Sequence, residues 1–270
     1  MSAKFFLELS PGEVAAELSR GNDLAILPIY SIEQHGPHLL LGTDGFGAQA
    51  LAEELGRLTG GLVLPAVPFC WEGCTNVFAG GIGVREAVFL RYVREVVRAL
   101  WRAGFRRIVV WNTHGGNWAA FHTFPHEVFR EDGIPVLCLY GLAGAAEGGK
   151  LLHQAGGEAA LCAGALRMLG REDLVAKVEE TNRRAVAEFG DGPRVELEPR
   201  AAWESRRLGA VGHDYSHECL HVQPSCRLDP EKGAEAMRRT ALRAAELLEG
   251  YRAYIEELQA AGRITRPGGG

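Results

Sequence analysis

The chain has 270 residues and a formal net charge of −5, and no basic run marks it as a nucleic-acid binder. Its 47% hydrophobic and 23% charged residues are typical of an ordinary globular protein, and its even composition favours one domain over residues 1–270. The apolar runs are too short to cross a bilayer, and residues 1–20 lack a signal-peptide pattern. Because the six scattered cysteines form no CxxC pair, we expect a reduced, cytoplasmic protein.

Short apolar runs of strand length alternate with amphipathic helical stretches. A capping-box pattern at Ser10 and Glu13 starts the first helix, and the apolar run Leu24–Tyr30 follows as a strand. The later predicted elements are a helix in "GAQALAEELGRLTG", a strand in "LVLPAVPF", a helix in "REAVFLRYVREVVRALWRAG", a strand in "RRIVVWN", a helix from about Asn117 to Glu131, a strand in "IPVLCLY" and a long helix from near Asp229. Strands separated by helices predict an α/β fold with a mostly parallel sheet covered on both sides. The segment from about Val175 to Arg227 is less regular, and its elements cannot be placed from the sequence.

Polar side chains follow three of these strands, at the sheet edge where open parallel sheets bind ligands. They are, in chain order, Glu33, His35 and Asp44 in "SIEQHGPHLLLGTD", His114 in "NTHGGN", and His153 and Glu158 in "HQAGGEAA". Imidazoles and carboxylates at one edge match the ligands of a site for two divalent ions such as zinc or manganese. Asp44 can give one oxygen to each ion, and Glu33 and His35, two residues apart on an extended segment, point to the same side. Ions about 3.5–4 Å apart can share a water and polarise a carbonyl.

At these residues the sequence resembles the creatininase (creatinine amidohydrolase) family. "LPIYSIEQHGPHLLLGTD" is similar to the family signature, in which Glu-x-His is followed by an Asp eleven residues after the Glu. "NTHGGN" resembles the family's Asn-Gly-His-Gly-Gly-Asn, with Thr113 in place of a glycine. Weaker similarities lie in "FAGGIGV", in "HQAGGEAA", which resembles His-Ala-Gly-x-x-Glu-Thr-Ser, and in "GAVGHDYSHECLHVQPSCRLDPEKG".

The resemblance implies a three-layer α/β/α sandwich and two divalent metal ions per chain, zinc, manganese or iron. It also implies hydrolysis of a C–N bond in a small amide or cyclic amide by a water between the ions, and a homo-oligomer such as a hexamer. The ligands that carry over by position are Glu33, Asp44 and His114 for one ion, His35 and Asp44 for the other, and Glu158 as the fifth ligand. Creatininase has a Glu ligand where this chain has Gly116, so the resemblance gives that role to Glu158. His153 matches a family histidine thought to transfer protons.

Other functions and roles stay open. Creatinine itself is a poor candidate substrate, because the family's ring-holding tryptophans have no counterpart between Trp118 and Trp203. The same metals would support ring opening of a keto-inositol at a C–C bond, and a non-enzymatic, metal-stabilised binding protein is the alternative of another class. Instead of transferring protons, His153 could serve to orient Glu158. Trp71 could either line the substrate pocket or only pack against other side chains.

The remaining histidines are more simply interpreted as loop or solvent-facing residues, and they are His38, His122, His126, His213, His217 and His221. Two of these interpretations have an alternative. His38 is also suited to orient a metal ligand. The last three histidines are spaced by four residues, which would place them on one face of a helix as further metal ligands.

Overall fold

The structure is a computed structural model that describes residues 2–71, 75, 78–141, 150, 154–191 and 224–264. Its helices and strands are, in chain order, β1 (Lys4–Phe5), α1 (Pro11–Ser19), β2 (Leu24–Ile29), α2 (Thr43–Thr59), β3 (Leu62–Val63), α3 (Glu86–Arg102), β4 (Arg107–Asn112), α4 (Trp118–Asp132), β5 (Leu137–Tyr140), α5 (Glu158–Met168), α6 (Glu172–Phe189) and α7 (Pro230–Ala260). Two 3₁₀ turns, Phe6–Glu8 and Gly115–Asn117, connect some of these elements.

The strands form one parallel sheet in the order β1-β3-β2-β4-β5. β2 pairs with β4 along its whole length, from Leu24 opposite Arg107 to Ile29 opposite Asn112. All residues of β2 are buried, as expected for a strand that is covered on both faces. The register places the carboxyl ends of β2 and β4 side by side, so the segments that follow them start at the same edge.

Helices cover both faces of the sheet. α3 and α4 pack on one face through side chains such as Phe89 and Phe121. α2, α5 and α7 pack on the other through Leu51, Leu161 and Met237, and α6 packs against α5. This arrangement confirms the predicted three-layer α/β/α sandwich. No helix in the described residues is long and apolar enough to cross a membrane.

The predicted boundaries differ from the structure most at two places. α2 begins at Thr43, four residues before the predicted start at Gly47, so Asp44 lies in the first turn of a helix. The strand predicted in "LVLPAVPF" is short, because only Leu62–Val63 pairs as a strand and Val67 adds an isolated bridge to β2. Prolines interrupt that apolar run, and a proline has no N–H to donate to a strand ladder.

The sequence left the elements between about Val175 and Arg227 unplaced, and the structure shows that the first part of this segment is helical. α6 extends to Phe189, and its buried residues, among them Val175, Val178 and Ala185, recur at helical spacing. Charged residues dominate the other face of α6, and this polarity hid the helical period in the sequence. The predicted capping box is present, since the side chain of Ser10 and that of Glu13 each accept a hydrogen bond from the other's backbone N–H.

α5 and α7 cross closely because small residues face each other. A Cβ added to Gly233 of α7 would overlap the carbonyl oxygen of Ala160 and lie 2.7 Å from its carbonyl carbon. A Cβ on Gly164 of α5 would lie 2.5 Å from the carbonyl carbon of Gly233. Backbone atoms cannot rotate away as a side chain does, so this crossing requires glycine.

We predict that Gly233→Ala lowers the free energy of unfolding by about 1–3 kcal/mol, because the added methyl group forces the two helices apart. Gly250→Ala is the matched control, since Gly250 lies on the same helix with nothing within 4 Å of the added Cβ. This control should raise the stability by about 0.5–1 kcal/mol through the better helix propensity of alanine. Denaturant unfolding of both variants measures the difference, and equal stabilities would contradict the prediction.

Candidate metal centre

Four predicted ligands meet at the edge where β2 and β4 end. Glu33 and His35 lie on the segment that leaves β2, Asp44 lies in the first turn of α2, and His114 follows β4 by two residues. All four residues are buried, each less than 5% exposed. The parallel register of the two strands brings these side chains together from positions up to 81 residues apart in the sequence.

Glu33, Asp44 and His114 surround one position. The Nδ1 atom of His114 lies 2.9 Å from Oε1 of Glu33 and 3.3 Å from Oδ2 of Asp44. The three donor atoms all lie within 4.8 Å of one another. Ligands at about 2.0–2.2 Å from a tetrahedral zinc ion are roughly 3.4 Å apart, so the spacing of this group fits a metal ion.

The second imidazole faces the other oxygen of the same aspartate. The Nε2 atom of His35 lies 3.3 Å from Oδ1 of Asp44 and 3.7 Å from Oε1 of Glu33. The Nδ1 atom of His35 lies 3.2 Å from the carbonyl oxygen of Glu33. That contact lets Nδ1 donate to the carbonyl and leaves the lone pair on Nε2 for a cation. Asp44 thus presents one oxygen to each imidazole.

Glu158, the first residue of α5, interacts electrostatically with His35, but it lies outside the group of three ligand atoms that are within 4.8 Å of one another. The helix is anchored next to Asp44, because Thr43 donates to Sγ of Cys162 over 3.5 Å one turn along α5. Loss of solvation raises the pKa of the Glu158 carboxyl, with the charge of His35 opposing the shift and that of Asp44 adding to it. The carboxyl of Glu158 is surrounded by protein atoms, although the residue as a whole is exposed.

The buried charges of the cluster stabilise one another. Burial by itself opposes ionisation of Glu33 and Asp44, but the contacts with His114 and His35 hold the pKa of both carboxyls below their ordinary values. Against the effect of burial, the same carboxylates raise the pKa of His35 to about 9 and that of His114 to about 10. Without metal, the imidazoles are therefore protonated at neutral pH. A cation would replace these protons, since an imidazole binds metal only when it is neutral.

Hydroxyl groups that the sequence interpretation missed orient these ligands. Ser31 donates to Oδ2 of Asp44 over 2.7 Å and lies 3.0 Å from Nδ1 of His114. Thr75 donates to Oε2 of Glu33, which leaves Oε1 of that carboxylate towards His114. The alternation in "SIEQH" contained a signal for the serine, because Ser31, Glu33 and His35 share one side of an extended segment. No pattern in the sequence indicated Thr75.

The turn that carries His114 is held by side-chain amides and a hydroxyl. Asn112 donates to the carbonyl of His114 over 2.7 Å, and Asn117 donates to the side-chain oxygen of Asn112 over 3.0 Å. The hydroxyl of Thr113 lies 3.1 Å from the carbonyl oxygens of both Ile29 and Asp44. Thr113 therefore joins β4 to the end of β2 and to the first turn of α2. The family pattern has a glycine at the position of Thr113.

Other residues singled out in the sequence lie apart from the cluster or outside the described residues. His122 and His126 are exposed on α4, and the ring of His122 lies 5.0 Å from that of Trp118 and 6.0 Å from that of Tyr140, tilted against both. Trp71 is 37% exposed. His38 is buried, and its backbone carbonyl accepts a hydrogen bond from Thr181. The residues outside the described part of the chain are His153, Trp203, His213, His217 and His221.

The chain is similar to a known protein family and to curated proteins with several different named activities. The family described as "Creatininase: Creatinine amidohydrolase" matches residues 8–248. A "Creatinine amidohydrolase" of Pseudomonas putida is 30% identical over 123 residues, which are 43% of this chain and 47% of that protein. A "3-dehydro-scyllo-inosose hydrolase" of Thermotoga maritima is 30% identical over 106 residues, 38% of this chain and 34% of that protein. The chain thus aligns with half or less of the length of these curated relatives.

A solved structure of a mutant creatininase, described as the Zn-Zn type, has the same fold. It superposes with a TM-score of 0.68 at 20% identity, covering 92% of this chain and 97% of that one. At this level of identity, the superposition supports the fold alone. The family match over residues 8–248 covers most of the sequence and includes every residue of the cluster described above. The chain belongs to the creatininase (creatinine amidohydrolase) family.

Proposed function

We propose that this protein hydrolyses a C–N bond, in an amide or cyclic amide of a small molecule, with two divalent ions at the Asp44 cluster. The observation that carries the proposal is the position of Asp44, whose Oδ2 and Oδ1 atoms each lie 3.3 Å from a different imidazole. A carboxylate so placed can join two cations, and its neighbours are types of ligand that zinc and manganese accept.

The ligand set in this proposal is Glu33, Asp44 and His114 for one ion and His35, Asp44 and Glu158 for the other. When bound, such ions lower the pKa of a water and polarise a substrate carbonyl. The chain itself fixes the donors before any ion binds, through Ser31 on Asp44 and Thr75 on Glu33. Fixed donors reduce the reorganisation that binding and reaction would otherwise require.

His153 is the proposed proton carrier. It lies five residues before Glu158 in the sequence, and a histidine of ordinary pKa can take a proton from water and return it to a leaving nitrogen. This assignment comes from the family resemblance.

Ring opening of a keto-cyclitol is the second candidate, favoured by the similarity to the Thermotoga maritima hydrolase. A panel of small amides, lactams, formamides, short modified peptides and keto-cyclitols tests both candidates with the zinc- and manganese-loaded protein. Turnover of an amide supports the first proposal. Turnover of the keto-cyclitol without any amide would replace it with the second.

We predict that the purified protein contains two divalent ions per chain, and that chelation abolishes its activity until zinc or manganese is returned. Asp44→Asn should lower metal affinity by more than the roughly 10- to 100-fold typical of residues that only orient a ligand, because one substitution affects both ions. Glu53→Gln on the same helix is the control, since Glu53 makes only a local contact with Gln49. Elemental analysis and chelator competition measure the outcome. Full metal content in Asp44→Asn would contradict the proposal.

Metal binding should depend on pH in a defined direction. Because the pKa values of His35 and His114 are raised to about 9 and about 10, each imidazole must release a proton before it binds a cation. Apparent metal affinity should therefore rise with pH up to about 10 and then level off. Calorimetric titrations at pH 7 in buffers of different ionisation enthalpy would count the released protons. Binding without proton release would contradict the assignment of these two ligands.

We expect His153→Gln to retain both ions while kcat falls by about 10²–10⁴-fold, the usual contribution of a general acid or base. His126→Gln on the exposed face of α4 is the control and should leave kcat unchanged. Loss of metal in His153→Gln would instead support the alternative in which His153 orients Glu158. Steady-state kinetics and metal analysis on the same preparations separate the two roles.

A further inference from the structure

The imidazole of His114 lies between the ligand cluster and the backbone of the next turn. On one side, its Nδ1 atom lies 2.9 Å from Oε1 of Glu33 and 3.0 Å from the hydroxyl oxygen of Ser31. On the other side, its Nε2 atom is buried against Gly116 and has no hydrogen-bond partner among the described residues. Among the described residues, no hydrogen bond to Nε2 therefore holds the ring in place.

Gly116 leaves room for this ring. A Cβ added to Gly116 would overlap Nε2 of His114 and would lie 3.1 Å from each of the two neighbouring ring carbons. The ring cannot simply shift away, because the carboxylate of Glu33 and the hydroxyl of Ser31 already contact its opposite edge. It would have to rotate or tilt, and either motion moves Nδ1 away from its partners.

The adjacent glycine differs in this respect. A Cβ added to Gly115 would have nothing within 4 Å. Neither Gly115 nor Gly116 has a positive φ, so the backbone conformation of the turn does not itself require glycine at either position. The requirement at position 116 comes from the imidazole alone.

We propose that Gly116 is a positioning residue of the metal centre, whose missing side chain sets the orientation of the His114 imidazole and so aims Nδ1 at the position between Glu33 and Asp44. The inference rests on the proposed function for its relevance to metal binding. Its steric basis, the packing of His114 on Gly116, applies with or without metal. In the present geometry of the turn, a Cβ at position 116 and the observed orientation of the His114 imidazole exclude each other.

A first experiment compares Gly116→Ala with Gly115→Ala, which differ by one position in the same turn. Zinc affinity, measured by chelator competition, should fall by about 10- to 100-fold in Gly116→Ala, the range for residues that orient a ligand, and stay within twofold of the wild type in Gly115→Ala. The visible spectrum of the cobalt(II)-loaded protein should change in Gly116→Ala only. Unchanged affinity and spectrum in Gly116→Ala would overturn the inference.

A second experiment needs no metal. In the metal-free protein, Gly116→Ala should lower the unfolding midpoint by several degrees, but it should have little effect in a His114→Ala background, where the ring is gone. Equal losses in both backgrounds would show that Gly116 acts independently of His114 and would overturn the inference. If the wild-type protein binds no zinc, manganese or cobalt, the proposed function fails. The comparison of Gly116→Ala in the wild-type and His114→Ala backgrounds still decides whether Gly116 positions the imidazole.

Discussion

The parallel pairing of β2 with β4 is the constraint on which the centre depends. Because Ile29 lies opposite Asn112, the segments carrying Glu33 and His114 leave the sheet at the same height and on neighbouring strands. The start of α2 then places Asp44 between them. A shift of the register by one residue would turn every side chain of the shifted strand to the opposite face of the sheet and separate these groups. The long hydrophobic β2, buried on both sides, fixes that register.

The cluster is a buried set of charges that is balanced without a cation. Two carboxylates and two imidazolium groups pair through contacts of 2.9–3.7 Å, and their pKa shifts have the sign of mutual stabilisation. In a low-dielectric environment any one of them alone would be costly to bury. The positive charge of the protonated His35 and His114 imidazoles balances the carboxylates, as the charge of bound cations would. This balance lets the cluster stay buried and ordered without a bound cation.

Close packing at glycines acts at two scales in this protein. At the scale of helices, Gly164 and Gly233 let α5, which begins at Glu158, approach α7. At the scale of a single ring, Gly116 makes room for the imidazole of His114. Both depend on the absence of a side chain. The conformational freedom of glycine plays no part in either, since none of these three residues has a positive φ.

The sequence by itself determined the fold class, the order of most elements and the four residues that meet at the sheet edge. These follow from short-range patterns, since apolar runs, capping residues and the spacing of Glu33, His35 and Asp44 are local properties of the chain. Only the tertiary structure decided which oxygen of Asp44 faces which imidazole, and that Ser31, Thr75 and Thr113 orient the ligands. It also revealed the contact between Gly116 and His114. Such contacts depend on side-chain orientation and on strand register. Most of them join residues that are far apart in the chain, so they produce no periodic pattern in the sequence.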